Sequence, residues 1–498
     1  MKGFWILAVG AFAVLGVAAV WMGGINQDEG WYLYAANLVA EGKVPYRDFA
    51  YTQGPVMPFV YSAFVFVWRM FGLLGARILT LAIGTGGVFF AAALAARMAP
   101  EHRRNEAALV VFLLLGANLY HLYYMAIPKT YALAALFVAA GFYLLCVSLR
   151  ARYTNRLAAA AGAGLCLAFA AGTRISLGAL LATTGVCLIV ARRWRTLVTF
   201  AIAGAVGLAV VYGPFLVDSK AFDGLVAAQK YHAARGGFDI VWTVGSLSRL
   251  VRWYLPTFVM LGLWCVLRMQ VPRRDEDEDE FLLKPVTHSL LFGFLAVFAV
   301  QIVAPFPYED YQVPVMGLLA IASSVGTVRV FDRFSAQRVP VLLALGMSFA
   351  CSFGSPLLEK WSTNGQDRFW SLKKPAYELA QLRAVAAEIE ALDPGGKELL
   401  TQDLYLAVET GRKVPEGLEM GPFAILSDDG WRALLESAPC RIAALSGYSF
   451  AIEPPVCSER PVERQMEYWG ILKRKYELVR SEAAFGQNAT TLLILRRK

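Results

Sequence analysis

The stretch FWILAVGAFAVLGVAAVWMGGINQDEGWYLY (residues 4–34) decides how the rest of the chain is read. Phe4–Gly24 carries no charge, and its length matches the ~20 residues that a helix needs to cross a ~30 Å hydrocarbon layer. A helix closes its own backbone hydrogen bonds there, where water cannot. The run is longer than the ~7–15 residue apolar core of a secretory signal, so it reads as a retained span. Directly after it come Asp28 and Glu29. Apolar surroundings disfavour the charged form of a carboxyl group, so an adjacent pair at the membrane boundary points to function. Behind the pair, Trp31, Tyr32, Tyr34 and Ala35 suggest an amphipathic helix lying in the interface.

Outward from this stretch the same apolar pattern repeats. Of the 498 residues, 57% are apolar and only 17% charged, with a mean hydropathy of +0.49. That is too little charge to cover a soluble protein of this length. Ten further blocks run near Ala76–Arg97, Glu106–Tyr123, Tyr131–Leu149, Leu157–Ala171, Ser176–Val190, Thr196–Val217, Trp253–Leu267, Val286–Ala304, Val313–Val328 and Val339–Gly354. The joint between the two blocks around Thr173-Arg174 is the weakest, because merging them would invert every later segment. Charge tests it. With the amino terminus inside, the inner connections hold Arg103/Arg104, Arg150/Arg152/Arg156, Arg192/Arg193/Arg195, Arg268/Arg273/Arg274 and Arg329/Arg333/Arg338. Every second connection is basic on both sides of the joint, as the positive-inside rule requires. The net charge of +9 follows from this orientation, and no nucleic-acid partner is needed to explain it.

The fold expected is a polytopic α-helical membrane protein of about eleven transmembrane helices with a small C-terminal α/β extracytoplasmic domain. Residues 1–354 form the bundle, with a first outer loop over 25–75 and a second near Asp218–Arg252; residues 355–498 form the outer domain. In that tail, Pro375–Leu392 has helical periodicity and stops at Asp393-Pro394-Gly395-Gly396. Glu398–Gln402, Arg441–Leu445 and Thr491–Leu495 read as strands and Asp429–Ser437 as a helix. Cys440 and Cys457, facing an oxidising compartment, have a spacing that permits a disulfide. The acidic run Asp275–Glu280 lacks the glycine turn of a calcium loop and reads as a solvated inner loop. The four histidines have no metal-ligand spacing. Asn488-Ala489-Thr490 fits a glycosylation sequon, a pattern short enough to recur by chance.

The first outer loop continues through Gly42-Lys43-Val44-Pro45-Tyr46-Arg47-Asp48-Phe49 to Gln53-Gly54-Pro55. With the Asp28-Glu29 pair and the aromatic run, this resembles the C-type superfamily of membrane glycosyltransferases, of the protein mannosyltransferase and aminoarabinose transferase type. The layout agrees over roughly the first 350 residues and the motif over about residues 26–58. The resemblance implies transfer of a sugar from a polyprenyl-phosphate donor to a lipid, glycan or protein acceptor at the outer face of a bacterial inner membrane. It implies Asp28 as the catalytic carboxylate with Glu29 beside it. Chemistry agrees, since a phosphate leaves readily and the need is for a base on the acceptor hydroxyl and positive charge at the phosphate. Adjacent residues on a helix do not face each other across a glycosidic bond, which disfavours hydrolysis by paired carboxylates.

Candidate phosphate-binding cations are Lys129, Arg174, Lys43 and Arg47, with snorkelling to the interface as the alternative for the first two. Glu309, Asp310 and Asp48 are candidates for acceptor or metal binding, against the bland reading of interfacial decoration. The sequence departs from the family pattern twice. Gln53-Gly54-Pro55 stands where many members have Lys-Pro-Pro, and Lys129 stands near a position where several are acidic. The second departure leaves a divalent cation, Mg or Mn, an open question, with the lysine as a substitute charge. A transporter or flippase of lipid-linked sugars is the competing class, which would call for inverted repeats and broken mid-membrane helices. A non-catalytic membrane subunit would leave the Asp28 carboxylate dispensable.

Overall fold

The computed structural model describes the whole chain except residues 151–152, 235–238, 271–277, 304–306, 335, 337, 363–376, 424–425, 447–461 and 488. Cys457, Asn488 and the first half of the acidic run, 275–277, fall outside the described residues.

Helix α1 (Lys2–Met22) is followed by α2 (Gln27–Ala40), α3 (Val56–Ser62) and α4 (Val65–Met98). The bundle continues with α5 (Arg104–Gly116), α6 (Leu119–Ala126), α7 (Thr130–Arg150), α8 (Tyr153–Thr173), α9 (Gly178–Val190) and α10 (Trp194–Val217). After α11 (Ser219–Ala234) and α12 (Ile240–Trp253) come α13 (Leu255–Gln270), α14 (Glu278–Ile302), α15 (Met316–Arg333) and α16 (Val339–Ser362). Among the described residues, seven helical segments are long and apolar enough to cross a membrane, nine if two bent pairs each count as one. The shorter apolar helices 175–190 and 339–352 complete the expected set. This is an integral membrane protein. Val198, Ile202, Val206 and Val210 of α10 recur every fourth residue and stay more than half exposed, a stripe that only lipid would cover at low cost.

One expected span is broken, and a second is bent at its start. The 106–123 block divides into α5 and α6, which meet at 71°, where Asn118 turns its side chain to accept the His121 N–H and caps α6. The 253–267 block lies almost wholly in α13, and a bend of 84° falls at its start, where α12 from the expected second outer loop joins it just before Pro256, whose ring cannot continue the preceding hydrogen-bond ladder. The bundle's basic ends meet away from α2: Arg103 pairs with Glu106 and Asp332, and Arg329 donates to the Met98 carbonyl.

The loop expected over 25–75 is largely helical, and α2 does not lie free in the interface. Trp31, Tyr32, Leu33, Tyr34, Ala35 and Ala36 are all buried, because the tail covers the face that the bundle leaves open. The tail holds α17 (Glu378–Leu392), α18 (Leu404–Thr410), α19 (Asp428–Ser437), α20 (Val462–Lys475) and a three-stranded antiparallel sheet. Strands β1 (Ile442–Ser446), β2 (Tyr476–Phe485) and β3 (Thr490–Arg497) run in the order β1-β3-β2, with Ile442 opposite Arg496 and Tyr476 opposite Arg497. The expected strand 398–402 makes only single bridges, Glu398 to Lys413 and Leu400 to Ala443. Strand β2 was not foreseen, since its residues are exposed except at the ends and lack alternation.

Helix α18 docks on α2 where Gly30 has no side chain; a Cβ there would stand 2.1 Å from the Tyr405 backbone nitrogen. It also completes α4. At Gly72 (φ +63°) the helical path breaks, and the Glu409 carboxylate accepts the freed Leu73 N–H at 2.7 Å. Further joints are Gln27 N–H to Gln487 and Val414 N–H to the Tyr34 hydroxyl. Residues of α2, α3 and the tail therefore share one apolar core.

Candidate active site

Helix α2 starts on a capping box. The Asn26 side chain accepts the Asp28 N–H, and the Glu29 carboxylate accepts the Asn26 N–H at 2.8 Å. This places both carboxylates in the first turn, where the helix dipole favours negative charge. Their directions then diverge. Glu29 turns to Arg77 of α4 in a bidentate pair of 2.8 and 2.7 Å, with both side chains fully buried. Arg77 also donates to the carbonyls of Val20, Gly23 and Gly24, which end α1. Sequence reading passed over Arg77, although a lone arginine in an apolar block was the available signal.

Asp28 faces the other way. One of its oxygens accepts the Trp31 indole N–H at 3.1 Å, and the other lies 2.8 Å from the Lys129 ammonium. Lys129, between α6 and α7, lies 2.9 Å from Asp310, which also accepts the Tyr131 hydroxyl proton at 2.8 Å. Burial works against the charged form of Asp28, but Lys129, with Trp31 and Arg174, outweighs it and holds the carboxyl below the usual carboxylate range. Burial also opposes the Lys129 charge, yet Asp28 and Asp310 hold its ammonium well above the ordinary lysine range. The Asp28 side chain keeps 24% of its surface open, so the carboxylate remains reachable.

Arg174, at the break between α8 and the turn before α9, joins this group through Tyr131. The Tyr131 ring centroid lies 4.7 Å from the Lys129 nitrogen and 4.8 Å from the Arg174 guanidinium carbon. Tyr311 flanks the guanidinium at 5.1 Å, and Thr130 accepts one of its N–H groups at 3.1 Å. Its Nε–H is buried with no partner among the described residues, although buried donors are ordinarily satisfied.

The fold thus assembles Asp28, Lys129, Arg174 and Asp310 from four separate segments. It does not bring in the rest. Arg47 pairs with Asp48 at 2.9 Å and approaches Asp218, while Asp48 also accepts the Val44 N–H. Lys43 is exposed on the same turn, and Glu309 faces Arg249 of α12 at 3.1 Å. The motif's aromatic residues serve packing: Tyr51 lies edge-on to Trp31 and Tyr46 and fixes the turn against α2. Among the described residues no group of three or more His, Cys, Asp or Glu is placed to hold a metal ion.

Burial, breaks and cluster together define a helical membrane bundle with a polar site at one end, capped by a small α/β tail. Solved structures share that fold. ArnT from Cupriavidus metallidurans, crystallised with undecaprenyl phosphate, matches over 99% of this chain and 98% of its own, with a TM-score of 0.63 and 14% identity. The archaeal oligosaccharyltransferase AglB from Archaeoglobus fulgidus, in complex with an inhibitory peptide and a dolichol-phosphate, matches over 95% of this chain and 73% of its own, with a TM-score of 0.50 and 10% identity. The oligosaccharyltransferase of the same organism in complex with Zn and sulfate gives a TM-score of 0.51 at 12% identity over 95% and 72%. The chain has the fold of the C-type membrane glycosyltransferases. No family model matches its sequence, and no curated protein matches it in sequence.

Proposed function

We propose that this protein transfers a sugar from a polyprenyl-phosphate donor to a hydroxyl of a lipid, glycan or protein acceptor, with Asp28 as general base. The observation that carries this reading is a carboxylate held ionised yet open, beside a buried guanidinium with an N–H that has no partner among the described residues. The ligands named with the fold's solved neighbours, undecaprenyl phosphate and dolichol-phosphate, support a donor of that class. The positive-inside pattern supports a site on the outer face of a bacterial inner membrane, with the amino terminus in the cytoplasm and the tail outside.

In the reaction, the acceptor oxygen attacks the anomeric carbon while its proton passes to an Asp28 oxygen. The bond from the anomeric carbon to the phosphate oxygen breaks, and its electron pair leaves with the polyprenyl phosphate. A single displacement inverts the anomeric centre. The departing charge is met by the Arg174 Nε–H and by the third N–H of Lys129, whose other two face Asp28 and Asp310.

The test is Asp28→Asn in purified protein given a panel of polyprenyl-phosphate sugars. Losing a general base slows transfer by about 10²–10⁴-fold per folded molecule, while the broken Lys129 pair lowers the thermal transition without unfolding the protein. Full transfer by the folded variant would remove Asp28 from the chemistry. Movement of labelled lipid across vesicles without any covalent transfer would establish a flippase instead.

A further inference from the structure

The position between Asp28 and Asp310 is already filled. The Lys129 nitrogen stands 2.8 Å from one carboxylate and 2.9 Å from the other, the spacing of charge-assisted hydrogen bonds. A magnesium ion would draw oxygens to about 2.0–2.1 Å in octahedral geometry. These carboxylates are therefore set for an ammonium. Nor is Lys129 a loose arm that could swing aside for an ion. It is buried, follows Pro128, and lies over the rings of Tyr131 at 4.7 Å and Tyr124 at 5.7 Å. The charges also balance: two carboxylates, Asp28 and Asp310, face two cations, Lys129 and Arg174. Adding a divalent ion would leave an excess positive charge in a buried site, which is costly.

We infer that Lys129 is a built-in cation occupying the place a divalent metal would take between Asp28 and Asp310, so that the protein works without one. The inference rests on the transfer reading for its catalytic consequence, but not for the occupancy itself. Besides meeting the departing phosphate, Lys129 keeps the Asp28 carboxylate ionised and aimed, and it does so from the protein's own chain. Removing its side chain leaves two carboxylates, the buried Asp310 and the partly open Asp28, facing one emptied position, which is the kind of donor set a hard divalent cation takes.

Manganese is the probe, because its free ion gives an electron paramagnetic resonance signal that binding suppresses. The full-length wild-type protein, titrated with Mn²⁺ in detergent, leaves that signal undiminished. Lys129→Ala captures about one Mn²⁺ per chain, gains thermal stability from it, and loses both gains when Asp310→Asn is added. In the transfer assay, wild type keeps its rate in EDTA, whereas Lys129→Ala is slow in EDTA and recovers with Mn²⁺. Wild-type protein that binds Mn²⁺ and loses it on Asp310→Asn overturns the inference. So does a Lys129→Ala protein that transfers at the wild-type rate in EDTA. If Lys129→Ala does not fold, the wild-type titration and Lys129→Arg, which keeps the cation and so binds no Mn²⁺, decide the question. If no donor supports transfer, the titration still reports on the occupancy while the transfer reading fails separately.

Discussion

Glu29 and Arg77 give the sharpest test, because the two carboxylates of the Asp28-Glu29 pair have opposite surroundings. Glu29 and Arg77 are both 0% exposed and joined by two hydrogen bonds. Removing one partner of a buried ion pair leaves an uncompensated charge and costs about 3–5 kcal/mol. Glu29→Gln keeps the shape, and Arg77 retains three carbonyl acceptors at 2.9–3.1 Å, so the low end, about 3 kcal/mol, is expected. Arg77→Met strands Glu29 and also orphans those carbonyls, so about 5 kcal/mol is expected. In the double variant neither charge is left unpaired, and the two changes cost less together than their sum by about 2 kcal/mol. The assay is denaturant unfolding of the detergent-solubilised protein followed by tryptophan fluorescence, with transfer rates normalised to folded protein. Normalised kcat stays within about threefold of wild type, since Glu29 touches no open surface. If Glu29→Gln is as stable as wild type but as slow as Asp28→Asn, the reasoning is refuted and Glu29 belongs to the reacting groups.

The Asp28 carboxyl is depressed in the fold, so its pairing with Lys129 stabilises the protein above the unfolded pKa of about 3.9 and is lost only as pH falls through the lower folded value. The kcat/KM profile of wild type therefore has no acid limb above about pH 5; in Lys129→Met, burial is left to dominate and a limb enters that range, and profiles that coincide would show the pair is not formed. Arg174→Ala raises the donor KM by about 10–100-fold, the worth of a charge-assisted hydrogen bond, and Arg174→Lys does not restore it because the flanking rings match a planar guanidinium. An unchanged KM would place the phosphate elsewhere. Gly30→Ala forces a Cβ to 2.1 Å from the Tyr405 nitrogen, so hydrogen exchange in Leu404–Thr410 rises and the thermal transition falls; wild-type exchange would show that the tail does not press on α2.

Much of the architecture was legible in local pattern, since a span needs only an uninterrupted apolar run, and that requirement is written residue by residue. Hence the bundle, the tail helices α17 and α19, and Asp28 at the first boundary could be read from the chain alone. Lys129, Arg174 and Asp310 were legible as charges out of place, but their convergence on Asp28 was not, because it joins residues more than 280 positions apart through helix packing. The different surroundings of Asp28 and Glu29 had no signature either: neighbours on one helix turn point about 100° apart, and what each then meets is supplied by other helices. The same holds for α2, whose aromatic residues suit an interface as well as a core. The tail decides between them by covering the helix at Gly30. Sequence thus determined that a carboxylate stands at the membrane boundary and that the chain crosses many times. Tertiary structure alone decided which carboxylate stays open and that its counter-charge is a lysine, because long-range packing sets burial and the direction of a side chain.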